Sequence, residues 1–200
     1  MIAIIDYGMG NIHSVQKALE GLGAKTLVTN DPGRLDECDK IVLPGVGAFD
    51  DALEELELKG FIPVLERCNK EKKILLGICL GMQLMFESSQ EGTRKGLGFI
   101  KGEVKLFDSR KGLKVPHMGW NRLQIEKKCP LLNDVTDGSY VYFCHSYYPQ
   151  PKDQKVIAAV TEYGVDFASI VWQDNIYATQ FHPEKSQDTG LAILRNFVKL

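Results

Sequence analysis

The organisation of this chain follows from one stretch, Gly77-Ile78-Cys79-Leu80-Gly81-Met82-Gln83, which comes directly after the apolar run 74–76. A buried strand that ends at a small residue, displays one cysteine and turns at once into a helix is typical of a nucleophile elbow on an α/β sheet. Gly77 and Gly81 allow the tight turn and the close approach of neighbouring segments that such an elbow needs. The partial positive charge at a helix start favours the thiolate form of Cys79. The alternative is a buried structural cysteine, which is the common fate of a free cysteine.

The segments before the elbow alternate between strand and helix patterns. Apolar runs predict strands at 2–5, 26–29 and 40–43, and the spacing of apolar residues predicts helices that begin near Ile12 and that occupy 50–58 and 61–70. A strand, a helix and a second strand at this spacing form a βαβ unit, whose strands are parallel.

The pattern changes after the elbow. Short strand patterns with polar turns occur at 100–107, 119–125, 139–147, 155–163, 166–172 and 176–181, and a last helix presents Leu191, Leu194, Phe197 and Val198 on one face. Closely spaced strands of this kind predict antiparallel additions to a parallel core. The predicted fold is therefore α/β: an open, mostly parallel central sheet flanked by helices, with added antiparallel strands in the second half. We expect a single domain over residues 1–200.

Composition excludes several classes of function. The chain has 24 basic and 26 acidic side chains and a net charge of −2, which is no footprint for nucleic acid or an anionic membrane. Its five cysteines lack paired metal spacing, and this indicates reduced thiols in a cytoplasmic protein without a metal site. No apolar run approaches the roughly 20 residues of a membrane span, and the N-terminus reads as a first strand. The motif around Gly8 and Gly10 is not a dinucleotide fingerprint, because its third glycine would fall at His13.

A cysteine nucleophile needs a base, and His182 is the best candidate among the four histidines. His145 follows Cys144 on a predicted strand, where neighbouring side chains point to opposite faces. His182 precedes Pro183, and a residue before proline favours an extended backbone. Positions i and i+2 of an extended segment point the same way, so we expect Glu184 to orient His182 as in a triad for acyl transfer. The alternative is a solvated turn that carries His and Glu by chance.

Acyl transfer also needs donors for the developing oxyanion. The backbone N–H of Leu80, directly after the nucleophile, is the position that elbow enzymes use. The loop Pro44-Gly45-Val46-Gly47 closes the third strand, and bare backbone at Val46 and Gly47 is a candidate for the second donor. A plain tight turn is the alternative interpretation of this loop.

Taken together, the motifs at 77–83 and 181–186 resemble the class I glutamine amidotransferases of the triad type. The segments 6–11, 44–49, 117–121 and 145–148 are similar to the glutaminase subunits of imidazole glycerol phosphate synthase within that family. The resemblance implies that Cys79, His182 and Glu184 hydrolyse glutamine to glutamate and ammonia through a cysteine thioester.

The same resemblance implies a set of contacts and partners. Gln83, Glu91, Ser146 and Tyr147 would hold the amino-acid end of glutamine, although Glu91 could equally be an exposed loop residue. The partner would be a (β/α)₈-barrel cyclase of histidine biosynthesis, which receives the ammonia directly and without which hydrolysis is slow. Asn11, Trp120 and Lys185 would lie towards that cyclase. No metal or organic cofactor is implied.

Two other functions remain open at this point. A cysteine peptidase or another thiol hydrolase could use the same triad, but it would need an open groove for a peptide. A non-catalytic partner subunit would be expected to have a broken triad.

Overall fold

The computed structural model describes residues 1–109 and 112–200. Its first half alternates strands and helices as the apolar pattern predicts. The elements are β1 (Ile2–Ile5), α1 (Ile12–Gly21), β2 (Thr26–Thr29), β3 (Lys40–Gly45), α2 (Phe49–Leu58), α3 (Phe61–Lys70), β4 (Ile74–Cys79) and α4 (Leu80–Leu84). The third strand runs two residues further than predicted, because Pro44 and Gly45 continue the ladder opposite Ile78 and Cys79.

The second half is built mainly from strands. They are β5 (Ser88–Ser89), β6 (Gly102–Leu106), β7 (His117–Arg122), β8 (Gln124–Ile125), β9 (Tyr140–His145), β10 (Tyr147–Pro151), β11 (Ile157–Glu162), β12 (Asp166–Gln173) and β13 (Ile176–Thr179), and α5 (Gln187–Lys199) ends the chain. The predicted strand at 139–147 is wrong in one respect: it breaks at Ser146. The segment before the break pairs with β7, whereas the segment after it pairs with β6.

The main sheet has eight strands in the order β2-β1-β3-β4-β13-β12-β11-β8. Its pairings are parallel from β2 to β13, and the last three strands are added antiparallel. This arrangement confirms the predicted fold class. Because β3 and β4 are parallel neighbours, their carboxyl ends meet, and Gly45 lies opposite Cys79. Ligands of open α/β sheets bind outside this edge.

Alternation along the strands divides the core into two clusters. On β1, Ala3 and Ile5 belong to the cluster that contains Phe49 and Phe61 of α2 and α3. The neighbouring Ile2 and Ile4 belong to the other cluster, which holds Leu19 of α1 and Phe197 of α5. Helices therefore cover both faces, as a parallel sheet requires. Within the described ranges, no helix has the length and apolar character needed to cross a membrane.

Candidate active site

Cys79 lies at the turn between β4 and α4, with a backbone that few residues adopt. Its φ is 55° and its ψ is −111°, and its side chain belongs to the buried set at 6% exposure. A non-glycine residue at positive φ is uncommon, and such strain costs about 1–3 kcal/mol and clusters at functional sites. The structure thus has the strained strand-to-helix turn of a nucleophile elbow at the predicted residue.

The two glycines of the elbow are required by contact with the neighbouring backbone. A Cβ atom on Gly81 would lie 1.8 Å from the carbonyl oxygen of Leu43, and one on Gly77 would lie 2.8 Å from the carbonyl oxygen of Gly81. Helix α4 therefore lies so close to the end of β3 that any side chain at position 81 would clash with the β3 backbone. This close approach places the first turn of α4 beside the loop after β3.

His182 and Glu184 form a buried pair. Nδ1 of His182 lies 2.9 Å from Oε1 of Glu184, and the carboxylate side chain has no exposed surface. A carboxylate accepts only, so Nδ1 carries the proton and Nε2 is the nitrogen left for Cys79. Burial alone lowers the pKa of His182, but hydrogen bonds and charges from Cys79 and Glu184 outweigh it and raise this pKa to about 10. Glu184 and Cys79 therefore favour the imidazolium form of His182.

The expected reason for this pairing is wrong, although the pairing itself is present. Only His182 has an extended backbone, with φ −94° and ψ 97°, while Pro183–Lys185 forms a turn of 3₁₀-helix. Hydrogen bonds from Ser186 and Tyr142 stabilise this turn. Ser186 Oγ donates to the His182 carbonyl at 2.6 Å and accepts from the Tyr142 N–H at 2.9 Å. The His182 N–H also donates to the Tyr142 carbonyl at 3.0 Å. Sequence reasoning missed this role of Ser186 and Tyr142.

A cavity of about 320 Å³ opens beside Cys79 and His182. All residues predicted for the oxyanion hole and for substrate contact line it: Val46, Gly47, Leu80, Gln83, Glu91, Ser146 and Tyr147. Its volume suits a small molecule, since ligand pockets start at roughly 300 Å³.

Glu91 is tied to the cavity wall. Its Oε2 accepts the backbone N–H of Phe49, the first residue of α2, at 3.0 Å. Burial raises the pKa of Glu91, and the nearby carboxylates of Asp50 and Asp51 add to this effect. The structure therefore contradicts the alternative of a freely exposed loop glutamate. A half-buried carboxylate in the wall of a cavity is a suitable partner for an ammonium group.

The loop after β3 carries both residues predicted to supply the second oxyanion donor, Val46 and Gly47. The Val46 N–H donates to the Met9 carbonyl at 3.4 Å. Gly47 follows with φ +103°, a conformation that L side chains rarely adopt. Beside this loop, Leu80 is the first residue of α4, so its N–H has no acceptor within its own helix.

The three residues expected to face the partner lie around the cavity rather than at one spot. Lys185 lines the cavity itself. Trp120 on β7 is 46% exposed, and its ring lies 6.0 Å from that of Tyr142, another cavity residue. Asn11 borders a small void together with His182 and Glu184.

Gln180 is the residue near Cys79 that sequence reasoning missed. Its side chain is fully buried, and its Nε2 lies 3.8 Å from Cys79 Sγ. Its Oε1 accepts from Gln83 Nε2 at 3.1 Å. The available signal was a glutamine at the end of an apolar strand, two positions before His182, where a core residue would be expected.

Comparison with known proteins places the chain in a family. Residues 3–200 match the family model described as glutamine amidotransferase class-I. The chain is 54% identical to the imidazole glycerol phosphate synthase subunit HisH of Geobacter sulfurreducens, over 98% of this chain and 97% of the relative. It is 51% identical to the subunit of the same name from Sulfurimonas denitrificans, over 100% of this chain and 98% of the relative.

Solved structures show the same fold at lower identity. PurLQS from Thermotoga maritima superposes with a TM-score of 0.78 and 18% identity, over 99% of this chain and 97% of that one. A putative gmp synthase subunit a protein from Thermoplasma acidophilum gives a TM-score of 0.73 and 23% identity, over 99% of this chain and 92% of that one. Identities this low bear on the fold alone.

Proposed function

Since this chain belongs to the class-I glutamine amidotransferase family, we propose that it is the glutaminase subunit of imidazole glycerol phosphate synthase. Its whole length, residues 1–200, is one glutamine amidotransferase domain that acts in the cytoplasm. It hydrolyses glutamine to glutamate and ammonia, and Cys79, His182 and Glu184 perform the chemistry. The observation that carries this assignment is the buried His182–Glu184 pair beside a strained cysteine in a small cavity.

The reaction begins when the Cys79 thiolate attacks the side-chain carbonyl carbon of glutamine and the carbonyl π electrons move to oxygen. His182 gives its proton to the amide nitrogen as the carbon–nitrogen bond breaks, so that ammonia leaves and a thioester remains. Neutral His182 then takes a proton from water, whose oxygen attacks the thioester. Glutamate forms as the sulfur leaves as thiolate. Glu184 holds the imidazole tautomer throughout and stabilises its charged form.

Both tetrahedral intermediates carry an oxyanion. The N–H of Leu80 at the start of α4 is one donor, and the N–H of Gly47 or Val46 is the other. Because the Val46 N–H donates to Met9 in this structure, its use requires this peptide to rotate. One such donor is worth about 10²–10³ in rate, so the state of this loop controls the rate of hydrolysis.

Substrate selection follows from the small volume and the charge of the cavity. Glu91 takes the α-ammonium group of glutamine, and Gln83, Ser146 and Tyr147 contact its amino-acid end. A cavity of about 320 Å³ accommodates a free amino acid, whereas a peptidase would need an open groove along the sheet edge. All three triad residues are also present, and this argues against a non-catalytic subunit.

The partner of this subunit is a (β/α)₈-barrel cyclase, which receives the ammonia for histidine biosynthesis. Trp120, Asn11 and Lys185 face it. The exposed indole of Trp120 has the character of an interface hot spot. Its location beside a wall of the cavity suits direct transfer of ammonia between the subunits.

The test is ammonia release from glutamine, measured for the isolated chain and for the chain with the cyclase and its nucleotide ligand. We expect slow release alone, faster release in the complex, and loss of release in Cys79→Ala. Turnover of a blocked peptide in place of glutamine would instead support a peptidase. Ammonia release at the normal rate by Cys79→Ala would contradict the mechanism.

A further inference from the structure

A continuous chain of buried polar groups leads away from the sulfur of Cys79. Gln180 Nε2 lies 3.8 Å from Sγ, and Gln180 Oε1 accepts from Gln83 Nε2 at 3.1 Å. Gln83 Nε2 also donates to the backbone carbonyl of Tyr147 at 2.9 Å. Gln180 directly follows β13, Gln83 lies on α4 and Tyr147 begins β10. Residues of three separate segments therefore meet beside Cys79.

The direction of every bond in this chain is set by the Tyr147 carbonyl, which accepts only. Gln83 must present its NH₂ group to that oxygen, because its own carbonyl there would oppose a second acceptor. The other proton of the same NH₂ group then requires the carbonyl oxygen of Gln180. The NH₂ group of Gln180 is therefore forced towards Cys79 Sγ.

A second arm starts from the same carbonyl. His145 Nδ1 lies 2.8 Å from the Tyr147 oxygen and must carry its proton there, so Nε2 of His145 is an acceptor. His117 Nδ1 lies 3.0 Å from that Nε2 and donates to it, and the NH₂ group of Asn121 donates to His117 Nε2 at 3.3 Å. Both rings are thus neutral and each has a single tautomer.

Burial keeps these rings neutral in solution as well. It lowers the pKa of His145 to about 3 and that of His117 to about 4. His145 is therefore not a second base beside Cys79, since both of its ring nitrogens are occupied. With His145 and Gln83 on its oxygen, the Tyr147 carbonyl has both lone pairs engaged, and the rings help to hold it in place.

The surroundings of Sγ make the Gln180 contact selective for the charged form of the sulfur. The carbonyl of Cys144 lies 3.9 Å from Sγ and accepts from a thiol, but it repels a thiolate. The Gln180 NH₂ group is a donor and interacts more strongly with a thiolate than with a thiol, because hydrogen bonds to charged groups are the stronger ones. The two contacts therefore oppose each other, and Gln180 is the one that favours ionisation.

We propose that Gln180 is a further catalytic residue, which donates a hydrogen bond to the Cys79 thiolate, and that Gln83, the Tyr147 carbonyl, His145 and His117 are positioning residues that hold its amide in this direction. The inference rests on Cys79 being the nucleophile of the proposed function. Gln180 acts at two points: in the resting enzyme, and when the sulfur leaves as thiolate from the thioester. In both, it supplies a donor that the Cys144 carbonyl cannot.

The experiment measures the rate of Cys79 alkylation by iodoacetamide as a function of pH, with the labelled peptide identified by mass spectrometry. Gln180→Met keeps the length of the side chain but removes the donor. We expect the midpoint of the pH–rate profile to move to higher pH by about one unit, and alkylation at pH values below that midpoint to be about tenfold slower. The matched control is Gln173→Met on the adjacent strand β12, where the glutamine lies away from Cys79. Its profile should equal that of the unaltered protein.

A second variant protects the test against misfolding of a core substitution. Asn121 is half-buried and lies at the far end of this series of hydrogen bonds, where its NH₂ group donates to His117 and to the Glu162 carbonyl. Asn121→Asp replaces this donor with an acceptor, and we expect His117 to move its proton to Nε2, which reverses the tautomers of both rings. We expect a several-fold slower alkylation below the midpoint and changed imidazole ¹⁵N shifts of His117 and His145. An unchanged pH profile in every variant that folds would overturn the proposal.

This readout needs no glutamine and no partner. If glutamine hydrolysis fails in the unaltered complex while the Gln180→Met profile still moves, the proposed function is wrong and the Gln180 contact stands. If hydrolysis is normal in the unaltered complex and the profiles coincide, the proposed function stands and the Gln180 contact is wrong.

Discussion

The carboxylate of Glu184 lies 2.9 Å from Nδ1 of His182, and both side chains are almost completely withdrawn from solvent. Burying two charged groups costs free energy unless they form a well-aligned, hydrogen-bonded ion pair with each other. Its geometry holds one imidazole nitrogen protonated and leaves the other for the sulfur of Cys79.

Replacing Glu184 by Gln should preserve the fold but remove the charge that orients His182. We expect a loss in glutamine turnover of roughly 10³–10⁴-fold, because triads lose about that much when the orienting carboxylate becomes an amide. The measurement is steady-state ammonia release in the complex. Glu103→Gln is the matched control, since Glu103 forms a solvent-exposed ion pair with Lys105 on β6. Equal losses in both variants would contradict the role of Glu184.

The raised pKa of His182 predicts how stability depends on pH. The folded-state pKa of about 10 exceeds the ordinary value of 6.5, so the contribution is complete below pH 6.5 and is lost as pH rises to about 10. Urea unfolding followed across this window should show declining stability. In Cys79→Ala the decline should be smaller and be complete at lower pH, because loss of the hydrogen bond and charge of Cys79 lowers the folded-state pKa of His182. Parallel curves for the two proteins would contradict this coupling.

Glu91→Gln should weaken glutamine binding with little effect on folding. The amide can still accept from the Phe49 N–H, but it no longer attracts an ammonium group. We expect the KM for glutamine to rise by roughly 10–100-fold, since hydrogen bonds to charged groups contribute about 1.5–3 kcal/mol. Glu87→Gln, outside the cavity, is the control. A change in kcat alone, with KM unaltered, would place Glu91 in another role.

Gly81→Ala should prevent the elbow from forming. Its Cβ would lie 1.8 Å from the Leu43 carbonyl oxygen, a backbone atom that cannot move without displacing β3. We expect a loss of several kcal/mol in the free energy of unfolding, in the range of severe core substitutions. Gly21→Ala at the end of α1 is the contrast, because nothing lies within 4 Å of its Cβ. That variant should be as stable as the unaltered protein or more stable by up to about 1 kcal/mol.

Trp120→Ala should weaken binding of the cyclase without altering the triad. A buried interface tryptophan is typically worth about 2 kcal/mol or more, so we expect at least a roughly 30-fold rise in the dissociation constant. Alkylation of Cys79 in the isolated chain should be unchanged. The control is Leu58→Ala, which removes a 74% exposed side chain of α2 on the opposite face of the sheet. Similar weakening by both variants would argue against an interface at Trp120.

Local patterns in the sequence were sufficient to predict the strands and helices of the parallel core and the sharp turn at Cys79. Alternating apolar runs predicted the strands of the parallel core, and Gly77 and Gly81 around Cys79 predicted the turn that the structure has. The boundaries that failed lie where a distant partner decides them. The predicted strand at 139–147 breaks at Ser146 because its two parts pair with different strands, and nothing in the local pattern records this change.

The sequence by itself determined the fold class and the family, because these depend on periodicity and on short motifs, and it predicted Cys79 as the nucleophile. Only the tertiary structure decided how these residues are held. Gln180 and Cys79 are 101 positions apart, and Ser186 and Tyr142 are 44 apart. Such contacts form when β13 inserts beside β4 and the His182 turn meets β9. Hydrogen-bond direction depends on which acceptor lies opposite, and that is set by the assembled core rather than by neighbours in the chain.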